Sequence, residues 1–203
     1  MRVKQIRDPK LAPLDPKVAN TKIALIGAGS ASISCASFLA RLGYNNVHIY
    51  ERGDYSGGLV TSEIPPNRSN YEDVHWEIQM AEEIGVKFFY NKAYGKDITE
   101  ESLRKDGYEA IFVGSGYNAP KGELGKEAYM LPNVFSSKTF LPNVCENVKL
   151  SKSKEKIYRL KGHVIVLGIG DTALDCARSA LRVGADRVSV IFRRGFNDAR
   201  ANE

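Results

Sequence analysis

The sequence predicts an α/β fold that contains two copies of a strand–turn–helix–strand unit. In the first copy, residues 21–52, an apolar run leads into a glycine turn, a helical stretch and a second apolar run. The second copy, residues 163–194, aligns with the first without gaps, so that Gly27 corresponds to Gly168. This order of elements is typical of Rossmann-like units that bind dinucleotides. We therefore predict two such units, both incomplete in this chain.

The glycine turn of the first copy has the features of a pyrophosphate site. Gly27 allows a tight turn after the strand, and Gly29 lets backbone amides approach an anion at the helix N-terminus. Ser32 occupies the third glycine position of the motif and is small enough for close helix–strand packing. Glu51 ends the second strand, at the distance where a carboxylate meets a ribose hydroxyl. The first copy is therefore predicted to bind a nucleotide whose ribose hydroxyl is free.

The second copy ends its second strand on basic residues. Where the first copy has Glu51, the second reads Phe192-Arg193-Arg194, and Arg200 follows shortly after. Arginines pair bidentately with a 2′-phosphate, which a carboxylate would repel. The second site is therefore predicted to prefer NADP(H).

The turn of the second copy keeps the dinucleotide motif. Gly168 and Gly170 take the first two glycine positions, and Ala173 is an accepted substitute at the third. Asp171 and Thr172 stand at the helix start, where they can cap the helix and meet the cofactor.

Glycines between the two copies mark further turns. Gly57 and Gly58 follow the acidic strand end and indicate backbone that passes close to a ligand. Residues 110–113 are predicted to form a strand that runs into Gly114, at the carboxyl edge of a parallel sheet, where ligands bind. Residues 117–162 contain three widely spaced prolines and are predicted to be irregular.

Two local patterns in this region are interpreted as non-functional. Tyr117 and Lys121 have the spacing of the Tyr-x-x-x-Lys pair of short-chain dehydrogenases, but Pro120 opposes the helix that this pair requires. The basic run at 149–161 lacks an aromatic ladder or recognition helix, which favours a solvated linker over a nucleic-acid patch.

Composition limits the possible classes of protein. The chain has 203 residues, 43% hydrophobic and 26% charged, with a net charge of +5, as expected of a soluble globular protein that holds phosphates. No apolar run approaches the roughly 20 residues of a membrane helix, and the N-terminus lacks the apolar core of a secretory signal. The three scattered cysteines predict buried thiols, no metal site and a reducing compartment, so the expected location is the cytoplasm.

The two strand ends together indicate a flavoprotein that a pyridine nucleotide reduces. An acid-ended unit followed by an arginine-ended unit is the arrangement of an FAD domain with an inserted NADPH domain. We accordingly predict an extended lead-in at residues 1–20, the first half of an FAD-binding domain at 21–160, and the first part of an NADPH-binding domain at 161–203.

The chain resembles the FAD- and NADPH-binding portion of the dihydropyrimidine dehydrogenases in three stretches: GAGSASISCASFLARLGY, ERGDYSGGLVTSEIP, and VIVLGIGDTALDCARSALR with RVSVIFRRGF. The resemblance extends to QIRDPKLAP and SSKTFLP and so covers essentially the whole chain. Related glutamate synthase small subunits typically read GGLLxYGIP where this chain has GGLVTSEIP. The resemblance implies that NADPH reduces FAD, that electrons pass through iron–sulfur clusters to FMN, and that uracil or thymine is reduced to the 5,6-dihydropyrimidine.

The resemblance also implies the cofactor contacts. Those to FAD fall on Gly27, Ala28, Gly29, Ser30, Ala31, Glu51, Arg52, Gly57, Gly58, Leu59, Arg68 and the backbone near Tyr94. Those to NADP(H) fall on the second glycine turn and the basic strand end: Gly168, Ile169, Gly170, Asp171, Thr172, Arg193, Arg194 and Arg200. Arg68 and Tyr94 depend chiefly on the resemblance, and the loop around Arg68 departs from the Arg-Leu-Pro that the family tends to have.

By the same resemblance, we expect this chain to be one part of a longer protein. The returning half of the FAD domain, the cluster-binding cysteines and the FMN barrel with its catalytic cysteine would lie elsewhere, so we assign no catalytic residue here. The full-length protein is expected to be a homodimer without nucleic-acid or membrane partners. The isolated piece is expected to expose a sheet edge.

Two other functions remain open. A different NADPH-linked flavoprotein, such as a glutamate synthase small subunit, would carry the same two motifs without an FMN barrel. A truncated nucleotide-binding module would bind NADPH without reducing a flavin. A dehydrogenase with a single Rossmann domain is less consistent with the sequence, because it does not need the second motif.

Overall fold

The computed structural model describes residues 14–117, 124–125, 127–149, 158–193 and 195. Most of the predicted lead-in and the predicted cofactor residues Arg194 and Arg200 lie outside these ranges. In chain order the elements are α1 (Pro16–Ala19), β1 (Lys22–Ile26), α2 (Ser30–Leu42), β2 (Asn46–Tyr50), α3 (Leu59–Ser62), α4 (Tyr71–Glu83), β3 (Lys87–Phe89), α5 (Glu100–Lys105), β4 (Tyr108–Val113), a 3₁₀ turn (Ala128–Met130), α6 (Ser137–Lys149), β5 (His163–Leu167), α7 (Asp171–Arg182) and β6 (Arg187–Ile191).

The chain divides into two compact units. The first combines Met1–Thr61 with Asn70–Tyr117, and the second combines Ser62–Ser69 with Asn118–Glu203. Each dinucleotide motif therefore belongs to its own unit.

The first unit is built on a parallel sheet with the strand order β3-β2-β1-β4. Strand β1 pairs with both β2 and β4, and β2 pairs with β3. Because all pairings are parallel, the carboxyl ends of the four strands share one edge, and the turns that follow them meet there. This topology is that of a Rossmann-like unit and confirms the predicted α/β fold.

Helices α2 and α4 cover one face of this sheet. The strand residues on that face are apolar and fully buried, as Leu25 and Ile49 show with 0% exposure. They pack against Ile33 and Ala36 of α2 and against Ile78 of α4. Full burial of one large apolar side chain contributes roughly 1.5–3 kcal/mol. The resulting core fixes α2, and with it the glycine turn, against the sheet.

The second unit contains the parallel pair β5-β6 and the helices α6 and α7. Its core combines Phe140, Leu141 and Val144 of α6 with Ala180 of α7 and with Ala185. Large apolar side chains on the two strands remain more than half exposed: Ile165 (57%), Leu167 (52%) and Ile191 (53%).

Helix α6 contradicts the prediction that residues 117–162 are irregular. It includes Pro142, which removes one backbone hydrogen bond and normally disfavours a helix interior. The Ser136 side chain caps its start by accepting from the Thr139 N–H at 3.2 Å. Phe140 and Val144, one helical turn apart, are both buried in the core of the unit. We attribute the helix to this tertiary burial, which outweighs the unfavourable proline.

The unit boundaries differ from the predicted domain boundary between residues 160 and 161. Helix α6 groups with the second unit because it packs on α7. The segment Ser62–Ser69 also groups with the second unit, although it follows the first motif in sequence. Among the helices in the described ranges, none combines the length and apolar character that crossing a membrane requires.

Candidate functional site

The first glycine turn joins β1 to α2 at the carboxyl edge of the sheet. Gly27 has a φ of +89°, a conformation that glycine adopts readily and other residues rarely do. Its N–H donates to the Tyr50 carbonyl at 2.8 Å, which ties the turn to the end of β2. Gly29 is the extended N-cap of α2 and provides no side-chain cap. The N–H groups at the start of α2 can therefore donate hydrogen bonds to an anion.

Glu51 lies directly beside this turn. Its Oε2 accepts the Ala28 N–H at 2.8 Å, and its Oε1 accepts the Gly53 N–H at 2.8 Å. The Ala28 carbonyl in turn accepts the Gly57 N–H at 2.8 Å. Each carboxylate oxygen has a second lone pair, so Glu51 is held in place and can still accept a hydroxyl.

Three glycine segments meet at the same edge with no space for side chains. A Cβ on Gly58 would lie 2.8 Å from the Gly29 Cα, and a Cβ on Gly27 would lie 2.9 Å from the Gly114 carbonyl oxygen. The glycines at 57–58 and at 114, singled out in the sequence, are thus brought together with the first turn. They form a backbone cradle of the kind that a pyrophosphate requires.

The other residues predicted to contact FAD have exposed side chains, and their contacts stay predictions. They are Ser30 and Ala31 in the first turn of α2, Arg52 after β2, Leu59 at the start of α3, and Tyr94 in the loop after β3. That loop is fixed beside the acidic strand end, because the Lys92 N–H donates to the Glu51 carbonyl at 2.8 Å.

The second glycine turn repeats the geometry of the first. Gly168 has a φ of +110°, and its N–H donates to the Ile191 carbonyl at 2.8 Å, at the position equivalent to the Gly27–Tyr50 bond. Gly170 is an extended N-cap without a side-chain cap, like its counterpart in the first motif. The N-terminus of α7 therefore offers the same kind of anion site.

The residues predicted to meet NADP(H) lie around this second turn. Ile169 is half-buried between the two glycines, and Asp171 and Thr172 are exposed in the first turn of α7. Arg193 is exposed just beyond β6. Since β5 and β6 are parallel, the turn and Arg193 lie at the same edge of the strand pair.

Arg68 makes its two ion pairs with the second motif. Its Nη1 donates to Asp175 Oδ2 at 2.9 Å, and its Nη2 lies 3.3 Å from Asp171 Oδ1. The hydrogen bond and the charge of Asp175 raise the pKa of Arg68 above its usual value. The resemblance implies an FAD contact for this arginine, and that contact stays a prediction; in the structure its guanidinium faces the carboxylates of α7.

Sequence reasoning missed Asp175. It lies one helical turn after Asp171 and is only 6% exposed. A buried carboxylate needs a cationic or hydrogen-bonding partner, so an acid on the buried face of a predicted helix was the available signal.

The three cysteines, Cys35, Cys145 and Cys176, form no disulfide with one another. Burial, reinforced by the neighbouring charge of Asp175, raises the pKa of Cys176 to about 12. Burial also raises the pKa of Cys35. Both thiols are therefore protonated at neutral pH and are poor nucleophiles.

The sequence matches the family described as pyridine nucleotide-disulphide oxidoreductase over residues 21–196, and the chain belongs to this family. The match spans both motifs. The predicted class, an oxidoreductase of the FAD- and NADP(H)-binding Rossmann type, is confirmed at the level of the family.

Curated relatives are longer than this chain. The oxidoreductase AegA of Escherichia coli K12 is 37% identical over 177 residues, which cover 85% of this chain and 26% of AegA. The small chain of the NADPH glutamate synthase of the same organism is 33% identical over 182 residues, which cover 88% of this chain and 38% of that protein. The chain thus spans well under half the length of these relatives.

Solved structures share the fold. FprA of Mycobacterium tuberculosis, in complex with NADPH, matches with a TM-score of 0.64 and 22% identity. The alignment covers 89% of this chain and 45% of the FprA chain. A 2-naphthoyl-CoA reductase complex matches with a TM-score of 0.65 and 18% identity. The alignment covers 90% of this chain and 25% of the reductase chain.

Proposed function

We propose that this chain is the electron-input part of an NADPH-dependent reductase, in which a hydride passes from a nicotinamide held by the second motif to a flavin held by the first. The observation that carries the proposal is the charge difference between two equivalent strand ends. The first motif ends on Glu51, fixed beside its glycine turn, and the second ends on the exposed Arg193.

The first motif fits the ADP half of FAD. The N-terminus of α2 and the glycine cradle suit a pyrophosphate, because the backbones approach too closely to admit a Cβ. Glu51 would accept a ribose hydroxyl while its remaining hydrogen bonds keep it in place. Ser30, Ala31, Arg52, Leu59 and Tyr94 stay proposed contacts around the same cofactor.

The second motif fits NADP(H). The N-terminus of α7 would take the pyrophosphate, with Ile169 and Thr172 beside it. Arg193 would pair with the 2′-phosphate, and Arg194 and Arg200 stay predicted partners of that phosphate. The role of these residues is to bind and orient the nicotinamide for transfer.

For the whole protein, we propose a dihydropyrimidine dehydrogenase that reduces uracil or thymine through iron–sulfur clusters and FMN in parts outside this chain. The stretch GGLVTSEIP and the extent of the resemblance support this proposal. A cytoplasmic homodimer without nucleic-acid or membrane partners belongs to the same proposal.

A flavoprotein of the glutamate synthase small-chain type is the alternative. The 33% identity to that chain of Escherichia coli over most of this sequence favours it. In both candidates NADPH reduces a flavin, and the two differ in the part of the protein that follows residue 203. An FMN-binding barrel in the continuing reading frame supports the pyrimidine reductase, and a stop after the flavin domain supports the alternative.

The input function is tested by anaerobic titration of the purified full-length protein, which contains this chain together with the returning half of the FAD domain. The expected result is saturable binding of FAD, followed by bleaching of the flavin absorbance when NADPH is added and much less bleaching with NADH. NADPH binding without flavin reduction would favour a non-catalytic nucleotide-binding module. Absence of binding to both cofactors would contradict the proposal.

A further inference from the structure

Helix α7 begins with a carboxylate at the N-terminus that is proposed to bind the pyrophosphate of NADP(H). Asp171 is its first residue, and Asp175 follows one turn later on the same side. The corresponding positions in the first motif are Ser30 and Ser34, which carry no charge. An acid in the first turn stabilises a free helix, but it repels an anion that approaches the same N-terminus. The second motif therefore needs a compensating charge that the first does not.

Arg68 supplies that charge. One guanidinium nitrogen lies 2.9 Å from Asp175 and another lies 3.3 Å from Asp171, so a single planar fork spans both carboxylates. Asp175 is buried and Asp171 is exposed. The buried pair fixes the arginine, and the arginine then restrains and partly neutralises the carboxylate at the cofactor edge.

The backbone that carries Arg68 is itself anchored. The segment Ser62–Ser69 is held by an ion pair between Glu63 and Lys138 at 2.7 Å and by a hydrogen bond from Arg182 to Asn67 at 2.5 Å. Arg68 is therefore one of several links between this segment and the rest of the second unit, and of these three side-chain links only that of Arg68 reaches the first turn of α7.

We propose that Arg68 is a positioning and charge-compensating residue for the pyridine nucleotide, acting through Asp171 at the N-terminus of α7. The inference depends on the proposed binding of NADP(H) to the second motif. It gives Arg68 a role toward the nicotinamide nucleotide that is separate from the FAD contact implied by the resemblance.

The test is an NADPH titration, followed by fluorescence, of the full-length protein that contains this chain, for four variants. Arg68→Gln is expected to weaken NADPH binding by roughly tenfold, because the uncompensated charge of the half-exposed Asp171 then repels the cofactor through a solvent-screened interaction. Arg68→Lys keeps the charge but cannot span two carboxylates, so an intermediate loss is expected. Arg68→Gln combined with Asp171→Asn is expected to recover most of the affinity, because the uncompensated charge at the cofactor edge is removed.

Arg182→Gln is the matched control. This change removes the hydrogen bond between α7 and the segment Ser62–Ser69 but leaves the first turn of α7 intact. The NADPH affinity of the variant should therefore equal that of the wild type. Equal losses in Arg68→Gln and Arg182→Gln, or no recovery in the double variant, would show that the arginine only holds the segment. A loss of FAD affinity with unchanged NADPH affinity would also overturn the inference.

Two further results keep the test decisive. If Arg68→Gln does not fold, as judged by circular dichroism, Arg68→Lys decides, and unchanged NADPH affinity in that variant overturns the inference. If the wild type itself does not bind NADPH, the proposed function fails, and this failure is distinct from that of the role of Arg68.

Discussion

The carboxylate of Glu51 accepts the backbone N–H of Ala28 at 2.8 Å, which links the end of β2 to the turn between β1 and α2. The equivalent residue of the second motif is Phe192, whose side chain has no hydrogen-bond acceptor. The acid at the first strand end therefore has a structural role in addition to the proposed contact with ribose. The two roles can be separated by substitution.

Glu51→Ala is expected to lower both stability and flavin affinity. It leaves the N–H groups of Ala28 and Gly53 without their charged acceptor, at a cost of about 1.5–3 kcal/mol in the free energy of unfolding. Glu51→Gln retains one acceptor oxygen and should cost less. Both variants lose the carboxylate that would accept the ribose hydroxyl, so FAD affinity should fall by roughly tenfold or more. Urea unfolding and flavin absorbance titration measure the two effects.

Glu82→Ala is the control for this prediction, because Glu82 is an exposed acid on α4 of the same unit. It should change neither stability nor flavin affinity measurably. If Glu51→Gln bound FAD as tightly as Glu82→Ala, the carboxylate would have no role in cofactor binding, and only its structural role would stand.

The helices and strands that short-range sequence patterns specify could be predicted from the sequence. The first strand–turn–helix–strand unit has an apolar strand, a glycine turn and a glycine stop at Gly43, and the structure places α2 between Ser30 and Leu42. The second unit was found in the same way, because its glycines repeat those of the first. In both units, short-range pattern and tertiary packing favour the same structure.

The features that were missed depend on contacts between residues far apart in sequence. The three prolines of residues 117–162 predict irregular structure, and only burial against α7 explains why α6 forms there. The pairing of Arg68 with Asp175 joins residues more than a hundred positions apart, and no local pattern predicts it. The contact of Gly114 with the first turn follows from the strand order, which a single sequence does not reveal.

Ser32→Ala is expected to raise the free energy of unfolding by about 1 kcal/mol. The Ser32 hydroxyl is fully buried, and its Oγ finds no hydrogen-bond partner among the described residues. The second motif already has alanine at this position, Ala173. Ser34→Ala, an exposed change in the same helix, is the control and should be neutral in urea unfolding. A clear loss of stability in Ser32→Ala would reveal an unrecognised partner of the hydroxyl.

Gly114→Ala tests the close approach of β4 to α2. A Cβ at this position would lie 2.1 Å from Ser32 Oγ and 3.0 Å from Phe112 Cε1. The resulting overpacking should cost about 1–3 kcal/mol. Adding Ser32→Ala should recover part of this loss, since the closest atom is then gone. Strictly additive effects of the two changes in urea unfolding would contradict the contact.

His48 is expected to make stability depend on pH in the acidic range. Burial, followed by the charges of Lys87 and Lys22, lowers the pKa of His48 below its usual value of about 6.5. Between the two pKa values the unfolded chain binds more protons than the folded one, so the free energy of unfolding falls as pH drops below about 6.5. The dependence ends once the pH is below the folded pKa.

The measurement for His48 is urea unfolding of the wild type and of His48→Gln at a series of pH values. The variant also loses the hydrogen bond between the imidazole Nδ1 and the Tyr108 hydroxyl, so it should be less stable at neutral pH and show a shallower pH dependence. His75→Gln, on the exposed surface of α4, is the matched control. A wild-type slope in the His48 variant would assign the acid sensitivity to other groups.

Arg193→Glu tests the preference of the second motif for NADP(H). Arg193 is exposed just beyond the carboxyl end of β6, where its guanidinium would pair with the 2′-phosphate. Loss of this pairing and the added repulsion should cost about 3 kcal/mol of NADPH affinity, or roughly 100-fold, with little effect on NADH. Arg187→Glu reverses an exposed charge at the amino end of the same strand and should leave both affinities unchanged. The ratio of the two dissociation constants, from fluorescence titration, is decisive: an unaltered ratio in Arg193→Glu would remove this strand end from the cofactor site.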